Sequence, residues 1–296
     1  MEAIWLWFAE PLQYEFIRKA ILVSAIVGVV CSALSCYITL KGWSLMGDAV
    51  SHSVLPGVVL SYIVNAPFSI GAFIFGLGSA IGIGFVKSQT RIKEDASMGI
   101  VFTGCFALGL VLISKTPSNI DLQHILFGNV LGISNEDMLQ TFIISGITLV
   151  TIIVLRKDLL LFCFDPTHAR SIGLNTQFLN YMLLALLSLT IVAAQQTAGI
   201  TLVVAMLITP GATAYLLTDR FDWMLGIAVG IGVFSSVIGT YLSYHFDGST
   251  GGSIVLLMTL FFIVTMVFAP KHGLLRRALR LQQAKKPVPG VVQSIS

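Results

Sequence analysis

Charge is scarce in this chain: 10% of its residues are Asp, Glu, Lys or Arg, against about 25% in a soluble globular domain. That shortage excludes an ordinary water-soluble enzyme. Phosphate-binding chemistry is also missing, because no Gly-x-x-x-x-Gly-Lys-Ser/Thr loop occurs. Neither a nucleophile elbow nor a zinc-protease His-Glu-x-x-His is present. The four cysteines, Cys31, Cys36, Cys105 and Cys163, form no Cys-x-x-Cys pair, which removes a zinc ribbon and a disulfide framework and leaves them as small buried hydrophobes. Glu2, Glu10 and Glu15 precede the first base, Arg18, so the start lacks the basic region of a cleavable signal peptide. Apart from a short basic tail, nothing suits nucleic acid.

What is there is apolar. Hydrophobic residues make up 56% of the chain, in runs of the ~17–25 residues that cross a hydrocarbon core. The fold class is all-α, a polytopic integral membrane protein of eight or nine transmembrane helices. Expected spans are 16–40, 69–86, 96–114, 138–155, 178–194, 200–217, 222–244 and 251–269, and a run at 46–64 is interrupted by Leu55-Pro56-Gly57. Residues 1–15, with Trp5, Trp7, Phe8 and Tyr14, read as an amphipathic lead-in at an interface. Residues 16–270 form one transmembrane domain, and 271–296 a basic, Pro-containing tail expected to be disordered. His124–Ile133 is too short to cross and reads as re-entrant or interfacial. Gly78 with Gly82, and Gly226 with Gly230, have the small-xxx-small spacing of close helix packing, within one subunit or across a dimer face.

Basic residues set the orientation. With nine spans, 14 of the 17 lysines and arginines fall on one side, with loops 87–95 and 156–177 and the tail after 270. The positive-inside rule makes that side cytoplasmic. If 46–64 enters and leaves by one face, the count is eight spans and the C-terminus is still cytoplasmic.

Asp48 and His52 stand four residues apart in the interrupted run, so they share one helix face. A carboxylate in a membrane costs roughly 2.5–3.5 kcal/mol at a helix centre, and a bound cation offsets it. Carboxylate plus imidazole suits Mn²⁺, Fe²⁺ or Zn²⁺ better than Ca²⁺ or Cu⁺. Two ligands do not hold such an ion, whereas a twofold axis doubles them. The other reading has Asp48 capping the helix, with the pair merely hydrogen-bonded. His124, His168 and His245 offer weaker patterns, since His245 and Asp247 are two apart and share no helix face. Gln195 and Gln196 read as interfacial.

Four blocks carry a resemblance. Gly47-Asp48-Ala49-Val50-Ser51-His52-Ser53-Val54-Leu55-Pro56-Gly57-Val58 is similar to the signature of the membrane permease subunit of bacterial manganese/zinc/iron ABC importers. Gln196-Thr197-Ala198-Gly199 through Thr209-Pro210-Gly211-Ala212-Thr213-Ala214, Phe164-Asp165-Pro166-Thr167-His168-Ala169-Arg170-Ser171-Ile172-Gly173-Leu174 and Leu126-Phe127-Gly128 agree with it. The likeness spans about residues 15–270 and is greatest to the iron/manganese branch. It implies a permease that does no covalent chemistry and moves Mn²⁺ and/or Fe²⁺ inward across the bacterial inner membrane. No cofactor is permanently bound. Its implied partners are a second copy of itself, a cytoplasmic ABC ATPase dimer and a periplasmic metal-binding protein. It also implies metal ligation by Asp48 and His52, and a cytoplasmic coupling helix at about 165–174 that docks on the ATPase through Asp165, His168, Ala169, Arg170 and Gly173. A zinc permease of the same family, or a proton-coupled secondary metal transporter, is the alternative.

Overall fold

In the computed structural model, residues 10–116 and 133–269 are described. Their helices are α1 (Glu15–Lys41), α2 (Met46–Ser53), α3 (Leu55–Ile63), α4 (Phe68–Gln89), α5 (Glu94–Lys115), α6 (Asn135–Val154), α7 (Arg156–Phe164), α8 (Pro166–Ser171), α9 (Thr176–Ala198), α10 (Ile200–Leu217), α11 (Phe221–His245) and α12 (Thr250–Phe268). Among the described residues, eight helices are long and apolar enough to cross a membrane. Residues 1–9 of the expected lead-in (1–15), the Leu126-Phe127-Gly128 block with His124, and the tail at 271–296 lie outside the described residues.

α1 is the central post. Its Tyr37, Leu34, Val30 and Val27 are buried, and it packs on α10 and α11. It runs antiparallel to α11, because Cys36 Sγ meets the Met224 carbonyl at 3.8 Å while Tyr14 meets Tyr244, ring centroids 5.9 Å apart, at the other end. Gly42 ends α1 in the left-handed conformation (φ 73°), with its N–H returning to Ile38 and Thr39 carbonyls, the usual glycine solution to a helix C-terminus. Pro210 sits inside α10 and has no N–H to give its helix. Ser35 of α1 braces the helix on either side of it: its Oγ donates to the Ile208 carbonyl at 3.2 Å and accepts from Gly211 N–H at 2.9 Å, side-chain support of the kind that lets membrane helices carry a proline.

The two ends of the bundle are identified by contacts. At one end Lys41 Nζ lies 3.7 Å over the Phe162 ring, Tyr37 meets Phe221 at 5.0 Å, and Arg156 pairs with Asp222. At the other, Gln196 Nε2 donates to Ser69 Oγ at 3.2 Å and Ser69 Oγ donates to Gln140 Oε1 at 3.4 Å, tying the starts of α4 and α6 to the end of α9. The chain leaves the first end at Lys41 and reaches the second by Ser69, so α2 and α3 together make a broken ninth crossing. The break falls at Val54, since Pro56 has no N–H for the His52 carbonyl, which accepts from Val54 N–H instead.

The glycines with that sequence spacing pack unevenly: a Cβ at Gly82 would lie 3.8 Å from Val101 Cγ1 and one at the neighbouring Gly76 3.3 Å from Val50 Cγ1. A Cβ at Gly78, Gly226 or Gly230 would meet nothing within 4 Å, so these three do not pack within the subunit. Close approach occurs at Gly57, where an added Cβ would lie 2.5 Å from the Gly71 carbonyl carbon, and at Gly28, where it would lie 3.1 Å from the Gly232 carbonyl oxygen. Gln195 and Gln196 are not interfacial either: Gln195 is 3% exposed and Gln196 bridges to Ser69. Residues 156–164, expected as loop, fold as α7 by burying Leu159, Phe162 and Cys163 on one side.

Candidate metal site and coupling element

α2 begins deep in the bundle. Gly47 abuts Leu207, in the middle of α10, with the Leu207 Cδ1 3.1 Å from where its Cβ would be. Of the non-helical residues 42–45 that bring the chain there, Trp43 turns inward at 5% exposure, while Gly42, Ser44 and Leu45 are exposed. Asp48 lies in the first turn of α2, where the helix dipole favours a negative charge. It does not cap the helix, because the N-cap is Leu45 and no side-chain cap bond exists. One turn on, His52 Nε2 stands 3.3 Å from Asp48 Oδ1, as four-residue spacing dictates.

The pair opens onto a cavity of about 460 Å³ walled by α2 and α3 (Ser51, Leu55), α5 (Phe106, Leu110), α10 (Ile200, Thr201, Val204, Ala205) and α12 (Val255). Roughly a third of each side chain is exposed, 33% for His52 and 39% for Asp48. The His52 ring is held edge-on to Phe106 at 5.4 Å and tilted to Phe102 at 6.0 Å. Asp48 and His52 thus face a largely apolar chamber at mid-depth, offering one hard oxygen donor and one nitrogen. Among the described residues no group of three or more His, Cys, Asp or Glu could hold a metal, so one chain brings only two such donors to this place. Spacing alone does not reveal the wall residues Phe102, Phe106 and Thr201; the only signal for Thr201 is its place in the second resembling block.

The second candidate element lies at the Lys41 end. Asp165 caps α8, its Oδ1 accepting from Thr167 and His168 N–H at 3.0 Å each, and Pro166 takes the first helical position, both standard for a helix start. Gly173 closes the element with φ 89°, a region few other residues adopt. Ala169 is fully buried, while Arg170 Nη2 reaches Thr176 Oγ1 at 3.5 Å and fastens α8 to α9. His168 is exposed, as are Phe164 at 79% and Ile172 at 57%, an apolar flank on a short projecting helix. Beneath it, burial pushes the Cys163 thiol up to about 12. The structure keeps Asp165, His168, Ala169, Arg170 and Gly173 together and sets them far along the chain's depth from Asp48 and His52.

A model of the ABC 3 transport family matches residues 13–269. The chain belongs to that family. As an ABC 3 family permease it is a multi-pass membrane protein and a transport subunit without catalytic chemistry of its own, and it works with an ATPase and a binding protein. It is 64% identical over 283 residues to the manganese transport system membrane protein MntB of Synechocystis sp., covering 96% of this chain and 92% of that protein. It is 50% identical over 268 residues to the chelated iron transport system membrane protein YfeD of Yersinia pestis, covering 90% of each. Its fold matches PsaBC from Streptococcus pneumoniae in complex with Fab, with a TM-score of 0.82 and 40% identity over 94% of this chain and 99% of that one.

Proposed function

We propose that this permease imports Mn²⁺ and Fe²⁺ as a homodimer in the bacterial inner membrane, with Asp48 and His52 of both copies ligating the ion as it passes. The observation that carries the reading is the carboxylate–imidazole pair, about a third exposed and 3.3 Å apart, facing an apolar chamber at mid-depth. A lone pair of donors is an incomplete site for a transition ion, and a twofold axis supplies the missing half. Relatives named for manganese and for chelated iron support the choice of cargo. The face carrying loops 87–95 and 156–177, and with it the C-terminus, is cytoplasmic by the excess of Lys and Arg there. A periplasmic metal-binding protein delivers the ion to the Ser69–Gln196 end. The ATPase grips α8, and its closure switches which end of the chamber is open.

The test is reconstitution with the ATPase and binding protein in proteoliposomes, followed by uptake of ⁵⁴Mn²⁺ and ⁵⁵Fe²⁺. ATP-dependent uptake that Asp48→Ala abolishes, in a variant that still assembles as a dimer, is the expected result. Unchanged uptake by that variant, or uptake driven by a pH gradient without ATP, overturns the proposal.

A further inference from the structure

We propose that Thr201 is a specificity-determining residue that holds a metal-bound water and so favours six-coordinate ions over tetrahedral Zn²⁺. The inference rests on Asp48 and His52 being the metal ligands, and it deepens that reading.

Apart from those two, the described residues of the chamber wall include two with polar side chains, Ser51 and Thr201. They are not equivalent. Ser51 is fully buried and spends its hydroxyl proton on the Gly47 carbonyl at 2.8 Å. Thr201 is exposed on the chamber wall, and its hydroxyl bonds to none of the described residues. By contrast Thr197, one turn earlier, turns its hydroxyl back onto the Ala193 and Ala194 carbonyls at 3.4 and 3.2 Å. Thr201 cannot repeat this in the same way, because Gly199, at φ 81°, ends one helix and begins the next, and Thr201 is only the second residue of α10.

The volume and the donor count then select a role. A water takes about 30 Å³ of liquid volume, so a chamber of about 460 Å³ accepts an ion together with several waters. Two carboxylates and two imidazoles from two copies complete a tetrahedral Zn²⁺ sphere with no water. The same four donors leave Mn²⁺ or Fe²⁺ two short of six. Waters fill those places, and a water held in an apolar chamber needs polar partners of its own. Bound through oxygen to the metal, it has two protons to donate. The Thr201 hydroxyl oxygen is the available neutral acceptor on the wall, one from each copy. Residues that orient ligands from outside the metal's own sphere are worth about 10–100-fold in affinity.

The test uses the assembled transporter, with full-length permease and its ATPase, and the chloride salts of Mn²⁺ and Zn²⁺. Thr201→Val is expected to weaken Mn²⁺ binding about tenfold while leaving Zn²⁺ binding within twofold, and Thr201→Ser to restore Mn²⁺. In H₂¹⁷O, the Mn²⁺ electron paramagnetic resonance lines of the wild type broaden through bound water, and Thr201→Val narrows them. Equal loss of both metals, an unchanged ratio, or a wild-type Mn²⁺ spectrum without ¹⁷O broadening overturns the role of Thr201. Should Thr201→Val not assemble, the wild-type spectrum and Thr201→Ser decide. Asp48→Ala separates the two levels: if it keeps wild-type metal binding, the underlying site falls. If it loses both metals while Thr201→Val leaves the ratio unchanged, only the role of Thr201 falls.

Discussion

Gly57→Ala tests whether the broken crossing is held where the structure puts it. An alanine Cβ there would sit 2.5 Å from the Gly71 carbonyl carbon and 3.1 Å from the Ala72 nitrogen. Both are backbone atoms, so no rotamer change relieves the clash. Restoring ordinary contact moves α3 away from α4 by about 1 Å, and overpacking of this kind costs typically 1–3 kcal/mol. For a chain of this size that lowers the unfolding midpoint by roughly 3–10 °C. The displacement also reaches His52, because only Val54 separates α2 from α3 and a binding constellation tolerates about 0.5 Å of error. The assay is thermal unfolding of the purified permease in detergent beside Mn²⁺ uptake in proteoliposomes. Gly78→Ala is the control, since nothing lies within 4 Å of its Cβ position, and it is expected to keep both the midpoint and the uptake. A Gly57→Ala protein with wild-type midpoint and uptake would refute backbone contact between α3 and α4, and with it the placement of His52.

Other perturbations separate the two elements. Phe162→Leu or Lys41→Met, which removes the cation–π contact at 3.7 Å, is expected to lower metal moved per ATP hydrolysed while leaving ATPase binding intact; Lys41→Arg should restore the ratio, measured by parallel uptake and phosphate release. Asp165→Ala removes the cap of α8 at a cost of about 1 kcal/mol, and a roughly fivefold weaker ATPase association by surface plasmon resonance is the expected reading. Cys163, whose ordinary value of 9.0 is raised to about 12 by burial, should resist maleimide at pH 8.5 until the protein is denatured. By linkage the stability from keeping that thiol neutral is full below pH 9 and drains away as pH climbs toward 12; a midpoint that rises over that window would contradict the burial.

Helix boundaries were legible because runs such as 200–217 and 222–244 are apolar from end to end and bounded by polar or turn residues. The juxtaposition of Asp48 and His52 was legible because four-residue spacing fixes a shared face whatever the tertiary surroundings. Tertiary facts were not. The spacing of Gly78 and Gly82 suggests close packing, yet whether a glycine faces a neighbour depends on helix rotation, which a span apolar on all sides leaves undetermined. Gln195 and Gln196 look interfacial because they end a span, while Gln195 is buried and Gln196 bonds to Ser69, distant in sequence. The crossing of 46–64 was undecidable from charge, since moving Lys41, Arg18 and Lys19 together barely alters the balance. α7 escaped notice because its nine residues carry Arg156, Lys157 and Asp158 at the start, which read as loop.

The placement of α2 explains how an acid is tolerated at this depth. A helix of eight residues has little stability of its own, so α2 exists by packing: Val50 and Val54 lie against Gly76, 3.3 and 3.4 Å from where its Cβ would be. Starting the helix in mid-bundle brings its positive end, otherwise wasted at a surface, to Asp48. The same start requires a non-helical turn before it, anchored by Trp43 and Met46, 5% and 2% exposed. Pro56 then leaves the His52 carbonyl without its usual donor, and α3 meets Gly71 through Gly57. The turn after Gly42 and the Gly57 contact thus fix where this stretch sits, so that its one stripe of Asp48, Ser51, His52 and Leu55 faces the chamber.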